Sequence, residues 1–206
     1  CHQSRTAIQM ASATPTVMTP ATVAAGDLMV LIATLNNADA AITGPAGWTL
    51  VDSVSSTTNT MQSAVWTKVA TAADAGSSIR VTNSVTSKAS LSLYAYAGAG
   101  GISAIARAVE SVASTSHTSP TVAVSTPGST LLSYWADKSS DNTGWALPVG
   151  VVARTQSVGT SSGRIVSAAG DSGSLGIGSV GGVAATAAGV ANKRAVSWSI
   201  VVAPPT

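Results

Sequence analysis

Met61-Gln62-Ser63-Ala64-Val65-Trp66-Thr67-Lys68-Val69 changes side-chain character at every step. In an extended chain Met61, Ser63, Val65, Thr67 and Val69 share one face, and Gln62, Ala64, Trp66 and Lys68 share the other. The same period of two continues downstream, where Ile79, Val81, Asn83 and Val85 alternate with Arg80, Thr82 and Ser84, and Leu91, Leu93 and Ala95 alternate with Ser92, Tyr94 and Tyr96. Such alternation marks antiparallel strands. Upstream, Leu28-Met29-Val30-Leu31-Ile32-Ala33 is apolar at every position, as a central strand covered on both faces would be. A Gly44-Pro45-Ala46-Gly47 turn leads into a strand at 48–54, and a short strand at 16–19 lies between Pro15 and Pro20. The pattern predicts an all-β chain, with residues 1–15 as an N-terminal arm or entry segment.

The second half repeats the plan, with predicted strands at 121–125, 130–135, 149–155, 163–168, 180–187 and 195–203. Residues 170–182, rich in Gly and Ser, read as a loop or irregular edge. Helix competes only at 102–109, where Ile102, Ile105 and Val109 would share a face. Gly47-Trp48-Thr49-Leu50 echoes Gly144-Trp145-Ala146-Leu147, and Asp74-Ala75-Gly76-Ser77 echoes Asp171-Ser172-Gly173-Ser174, both 97 positions apart (144 minus 47, 171 minus 74). The expected architecture is one two-sheet antiparallel sandwich of jelly-roll type, internally duplicated as about 16–100 and 118–206. Two separate domains of about 100 residues are the alternative.

Composition excludes several function classes. Charged residues are 9% of the 206, against roughly 25% in an ordinary globular chain. Ten basic residues are nearly cancelled by eight acidic ones, which leaves no basic stripe for nucleic acid. The longest apolar run, 28–33, is too short to span a membrane. With no Phe and abundant Ala, the core should be thin, built from Val, Leu and Ile with Trp as bulk, and the hydroxyls should face water. The single cysteine, Cys1, fits a chain whose initiator Met is removed, a lipidated terminus, or a domain cut from a longer protein.

Several segments, taken in order, resemble a known module. They are Gly26-Asp27-Leu28; Pro45-Ala46-Gly47-Trp48-Thr49-Leu50-Val51; Trp66-Thr67-Lys68-Val69 with Ala70-Thr71-Ala72-Ala73-Asp74-Ala75-Gly76; Leu93-Tyr94-Ala95-Tyr96-Ala97-Gly98; and Ser133-Tyr134-Trp135-Ala136-Asp137-Lys138-Ser139-Ser140. Together they resemble a β-sandwich module of minor tail and appendage proteins of actinobacterial phages, which is similar to modules in secreted actinobacterial proteins. The resemblance implies a non-catalytic structural or adhesive module displayed on a virion or outside a cell. It carries over no catalytic residues.

Hydrolytic chemistry finds little to work with. His2 falls in the leading segment and His117 reads as a solvated loop histidine; no Gly-x-Ser-x-Gly elbow is present, and Glu110 is the single Glu. No catalytic residue, cofactor or metal site is assigned. Asp137-Lys138-Ser139-Ser140-Asp141-Asn142 and Asn36-Asn37-Ala38-Asp39 supply oxygens, but their spacing fits no EF-hand and Lys138 would oppose a cation. These two loops form the expected binding rim. Trp135 and Trp145 would offer an indole face beside the acceptors of Asp137, Asp141, Asn142, Asn36, Asn37 and Asp39, as a sugar ring requires. The competing reading makes Trp145, like Trp48, a plug of the sandwich end. Gln62, Ala64, Trp66 and Lys68 form an outward row that would meet a neighbouring subunit.

The expected function is that of a virion structural protein, on the tail or the capsid surface, contacting other virion proteins or copies of itself. A cell-surface glycan is a candidate partner. The alternative is a carbohydrate-binding module of a secreted or cell-surface bacterial protein.

Overall fold

Period-two patterning becomes strand nearly everywhere it occurs. The structure, a computed structural model, describes residues 3–206; the readings of Cys1 and His2 lie outside them. The first half runs β1 (Gln3–Ser12), β2 (Thr16–Met18), β3 (Leu28–Leu35), β4 (Ile42–Thr43), β5 (Thr49–Ser56), β6 (Met61–Val69), β7 (Ser78–Arg80), β8 (Thr82–Asn83) and β9 (Ser87–Tyr96). The second runs β10 (Ile102–Val109), β11 (Ser116–Thr118), β12 (Thr121–Val124), β13 (Thr130–Ser139), β14 (Trp145–Ala146), β15 (Val152–Val158), β16 (Arg164–Asp171), β17 (Gly178–Gly181), β18 (Ala184–Ala187) and β19 (Ala195–Val202). Residues 102–109 are strand, because Val196 to Val202 of β19 offer a paired edge that an isolated helical turn lacks. In the leading segment, β1 pairs without interruption along β9, from Gln3 opposite Tyr96 to Ser12 opposite Ser87.

Two five-stranded sheets, ordered β1-β9-β3-β6-β5 and β10-β19-β13-β16-β15, face each other. Between them lies an apolar core of Leu28, Val30, Ile32, Val65, Tyr94 and Tyr96 from one sheet and Leu132, Tyr134, Ile165, Trp198 and Ile200 from the other. The opposite face of each sheet is also buried. Met29, Leu31, Ala33 and Leu35 of β3 point away from the partner sheet and pack with Val17, Ile79 and Val81, near or within the short pairs β2–β7 and β4–β8. The second sheet is covered by β11-β18-β14 and β12-β17. The expected pair of sheets is therefore present, with a further cover on each outer face, and β3 is buried along its whole length for that reason.

The duplication is real, but its register is not 97. The sheets have the same strand order when β1, β9, β3, β6 and β5 are matched to β10, β19, β13, β16 and β15. Leu28, opposite Tyr96, then matches Thr130, opposite Val202. Gly47 matches Gly150, 103 positions on (150 minus 47), and both hold left-handed φ, +82° and +87°. Trp48 N–H donates to Pro45 O at 3.3 Å, as Val151 N–H does to Pro148 O at 3.2 Å. Both edge strands carry an irregularity at the matched place, between Leu50 and Asp52 and between Ala153 and Thr155. The two matches at 97 are coincidences of composition. The halves also begin earlier than expected, because β1 and β10 belong to them.

β1 lies against β15 and β5 against β10, so the two equivalent edges exchange roles about a pseudo-two-fold axis. The seam carries hydroxyls as well as hydrocarbon. Thr34 Oγ1 lies 3.0 Å from Ser63 Oγ and 2.8 Å from Tyr134 OH, Trp198 Nε1 donates to Ser63 Oγ at 2.9 Å, and Ser90 Oγ lies 2.6 Å from Ser167 Oγ. Many hydroxyls thus lie inside, each needing a partner there, and not only on the wetted surface. Burial raises the pKa of Tyr94, Tyr96 and Tyr134, so their phenols stay protonated. Tyr96 OH lies 3.4 Å from Asp171 Oδ2, whose Oδ1 accepts from Arg154 Nε at 2.8 Å.

Candidate functional site

β13 is longer than its sequence pattern suggests, and this relocates most of the expected rim. It carries Trp135 and Asp137 into the interior, at 0% and 1% exposed. Trp135 Nε1 donates to His117 O, and Trp145 Nε1 to Val166 O, both at 3.0 Å. With Trp145 only 6% exposed, both indoles plug the space between the second sheet and its cover, and neither offers a face to a ligand. Asn142 Nδ2 donates to Asp137 Oδ1 at 3.0 Å and Oδ2 at 3.1 Å. Burial pushes the Asp137 carboxyl up to about 6, the Asn142 hydrogen bonds opposing it.

Asp141 is the member of that loop that stays at the surface. It accepts from Ser139 Oγ at 2.7 Å and Val190 N–H at 3.0 Å, and these bonds hold its pKa below the ordinary value. Asn36 does approach this end: its Nδ2 donates to Gly163 O at 2.9 Å, and its carbonyl accepts from Lys138 Nζ at 2.9 Å. Asn37 Oδ1 instead caps the turn, accepting from Asp39 N–H at 2.8 Å, and Asp39 is exposed. A cleft of about 440 Å³ opens beside them, lined by Lys138, Ser139, Ser140, Asp141, Asn192 and Arg194 among others. Of the eight rim residues it takes in Asp141 alone. Lys138 and Arg194 make it a poor seat for a cation, as the sequence implies.

His117 is a buried residue of β11, 1% exposed, and not a solvated loop residue. Its ring meets Trp145 edge-on, with centroids 5.4 Å apart. Nδ1 lies 3.7 Å from Glu110 Oε1, beyond hydrogen-bond reach, and neither ring nitrogen has a hydrogen-bond partner among the described residues. Burial lowers its pKa, Glu110 opposing, so the imidazole is neutral at pH 7.

The outer face of the first sheet holds a second cleft, of about 540 Å³, which takes in Gln62, Ala64 and Trp66 of the expected outward row. Ala38, Ile42, Thr43, Gly44, Leu50, Ser53, Ser55, Gln62, Ala64 and Trp66 line it, and no lining residue is charged. Trp66 is 4% exposed and packs within its own subunit, so the outward row through it does not meet a neighbour. Gly44 passes close over its Nε1, where a Cβ would overlap the indole. The indole N–H donors of Trp135, Trp145 and Trp198 are all satisfied, whereas those of Trp66 and the half-buried Trp48 have no acceptor among the described residues.

Duplication supplies an internal control for this cleft. Ile42 of β4 corresponds to Trp145 of β14, Ser53 to Gln156 and Gln62 to Val166. In the second half, the Trp145 indole covers that ground, and Gln156 clamps β14 by accepting from Trp145 N–H at 2.5 Å and donating to Trp145 O at 3.2 Å. Ser53 is too short for that bridge and Ile42 too small for that cover. The first half is left open where the second is sealed. Reading Ile42 and Ser53 at an offset of 103 and Gln62 at 104 would have exposed these exchanges, which the 97 register hides by aligning Trp48 with Trp145. Comparison with known protein families, with curated proteins and with solved structures finds no match for this chain.

Proposed function

We propose that this chain is a non-catalytic structural module of a phage virion, displayed on the tail or the capsid surface, which makes assembly contacts and touches the host surface. The observation that carries this reading is the employment of the acidic groups. Asp27 caps Ala24 N–H, Asp52 pairs with Arg107, Asp74 holds Lys68 and Thr71, Asp137 holds Asn142, Asp141 holds Ser139 and Val190, and Asp171 holds Arg154. Six of the eight acidic side chains are thus bonded into a turn or a seam, which suits a scaffold better than acid-base chemistry. The pseudo-symmetric pair of antiparallel β halves and the resemblance to phage appendage modules support the same reading. Its test is localisation: antibody against the chain should label particles banded from lysates of the strain that carries the gene. Label that remains with soluble protein and never bands with particles overturns the reading.

The second reading, a carbohydrate-binding module of a secreted protein, is favoured by the uncharged cleft of the first half. It expects a monomer retained on cell-wall polysaccharide.

A further inference from the structure

We propose that the cleft between β4 and the outer face of β5 and β6 is a binding site for one neutral sugar ring. This deepens the adhesive part of the function proposed above and rests on it only for the source of the sugar, since the cleft is the same on a virion or outside a cell. The size is suitable, because about 540 Å³ falls within the range of small-ligand sites. The lining has the right chemistry. Leu50, 53% exposed, and Ile42 and Ala64 offer apolar walls to ring CH groups, while Thr43, Ser53 and Ser55 offer hydroxyls. Gln62 Nε2 is held by Asn37 O and Ala40 O at 2.7 and 2.6 Å, and its Oε1 meets no donor among the described residues, so it faces a ligand as a fixed acceptor.

The decisive group is Trp66 Nε1–H. It has no acceptor within the protein and is not sealed from solvent, so on the wall of this cleft it is free to donate to a hydroxyl oxygen. The second half shows what the fold does when no ligand is served. There Trp145 fills the ground, Val166 replaces Gln62, Val158 replaces Ser55, and Gly170 replaces Trp66. Compared with that half, the first lacks the plug and carries hydrogen-bonding groups at positions 55, 62 and 66. With no charge in the lining, the ligand is neutral and hydroxyl-rich, as a hexose unit of a surface glycan is.

The test follows the indole N–H resonance of Trp66, assigned with Trp66→Phe, during titration of the whole chain with glucose, galactose, mannose and N-acetylglucosamine. Glucuronate and N-acetyltryptophanamide serve as comparators. At least one neutral sugar should move that resonance saturably in the millimolar range and leave those of Trp135 and Trp198 in place. Ile42→Trp with Ser53→Gln, which rebuilds the seal of the second half, should weaken binding at least tenfold. Leu50→Ala, an exposed change that leaves folding intact, should weaken it severalfold, and Asp141→Ala should not change it. The proposal is overturned if no neutral sugar moves the Trp66 resonance, if binding survives undiminished in Leu50→Ala or in the folded double variant, or if only N-acetyltryptophanamide or glucuronate binds. Sugar binding without particle labelling would remove the virion reading and keep the site; labelling without binding would do the reverse.

Discussion

Asp137 and His117 sit under the same cover and answer pH in opposite directions. Asp137 has its carboxyl raised from 3.8 to about 6, so the contribution of its protonated form is full below about 4 and is lost as pH rises through 6. Asp137→Asn should therefore gain stability relative to the parent between pH 4 and pH 7, by an amount on the order of 3 kcal/mol, read as the pH dependence of the difference in unfolding midpoint. A difference that stays flat with pH would contradict the buried carboxyl. His117 has its pKa lowered, so its neutral form contributes stability above about 6.5 that is lost on acidification. His117→Gln should make the chain less acid-sensitive, seen as a smaller drop in midpoint between pH 7 and pH 5. Gly170 tests the match with Trp66. A Cβ there would lie 2.5 Å from Val152 O and 2.6 Å from Val151 Cγ1, so Gly170→Ala should cost about 1–3 kcal/mol, measured by denaturant unfolding.

Among elements, strands were legible and their ends were not. The alternation at 61–69 and 91–96 and the apolar run at 28–33 fixed β6, β9 and β3 as strands, although β9, like β3, is buried on both faces and its Ser90 and Ser92 lie inside. β13 hid its length, since Asp137 and Ser139 look like loop residues until Asn142 and Asp141 supply their hydrogen bonds. That one misplacement carried Trp135 and Asp137 from the expected rim into the core. His117 was misread for a related reason: its neighbours Ser114, Thr115, Ser116, Thr118 and Ser119 are polar, but β11 is paired to β18 and turns the ring inward. The cleft of the first half was invisible because it depends on what Ile42 and Ser53 are not, and that shows only beside Trp145 and Gln156. At this scale the clamp makes its own prediction. Gln156→Ser should loosen β14 from β15, costing about 1–2 kcal/mol by thermal unfolding, with faster amide exchange at Trp145.

For the whole molecule, the shared core between the long sheets sets the unit of cooperation. Trp198 is fully buried there and donates across the seam to Ser63. Trp198→Ala should destabilise by about 3–5 kcal/mol, and calorimetry should record one transition for both halves. Two separate transitions would mean that the halves are independent domains. Covalent succession of the halves also has a consequence for how they live together. Two unlinked copies would part when diluted and would have to carry identical faces, each mutation appearing twice. Here the tether keeps the partner's concentration high however thin the solution, and releases either face to change without its twin. A sealed groove and an open one in a single polypeptide are the kind of asymmetry that such freedom allows.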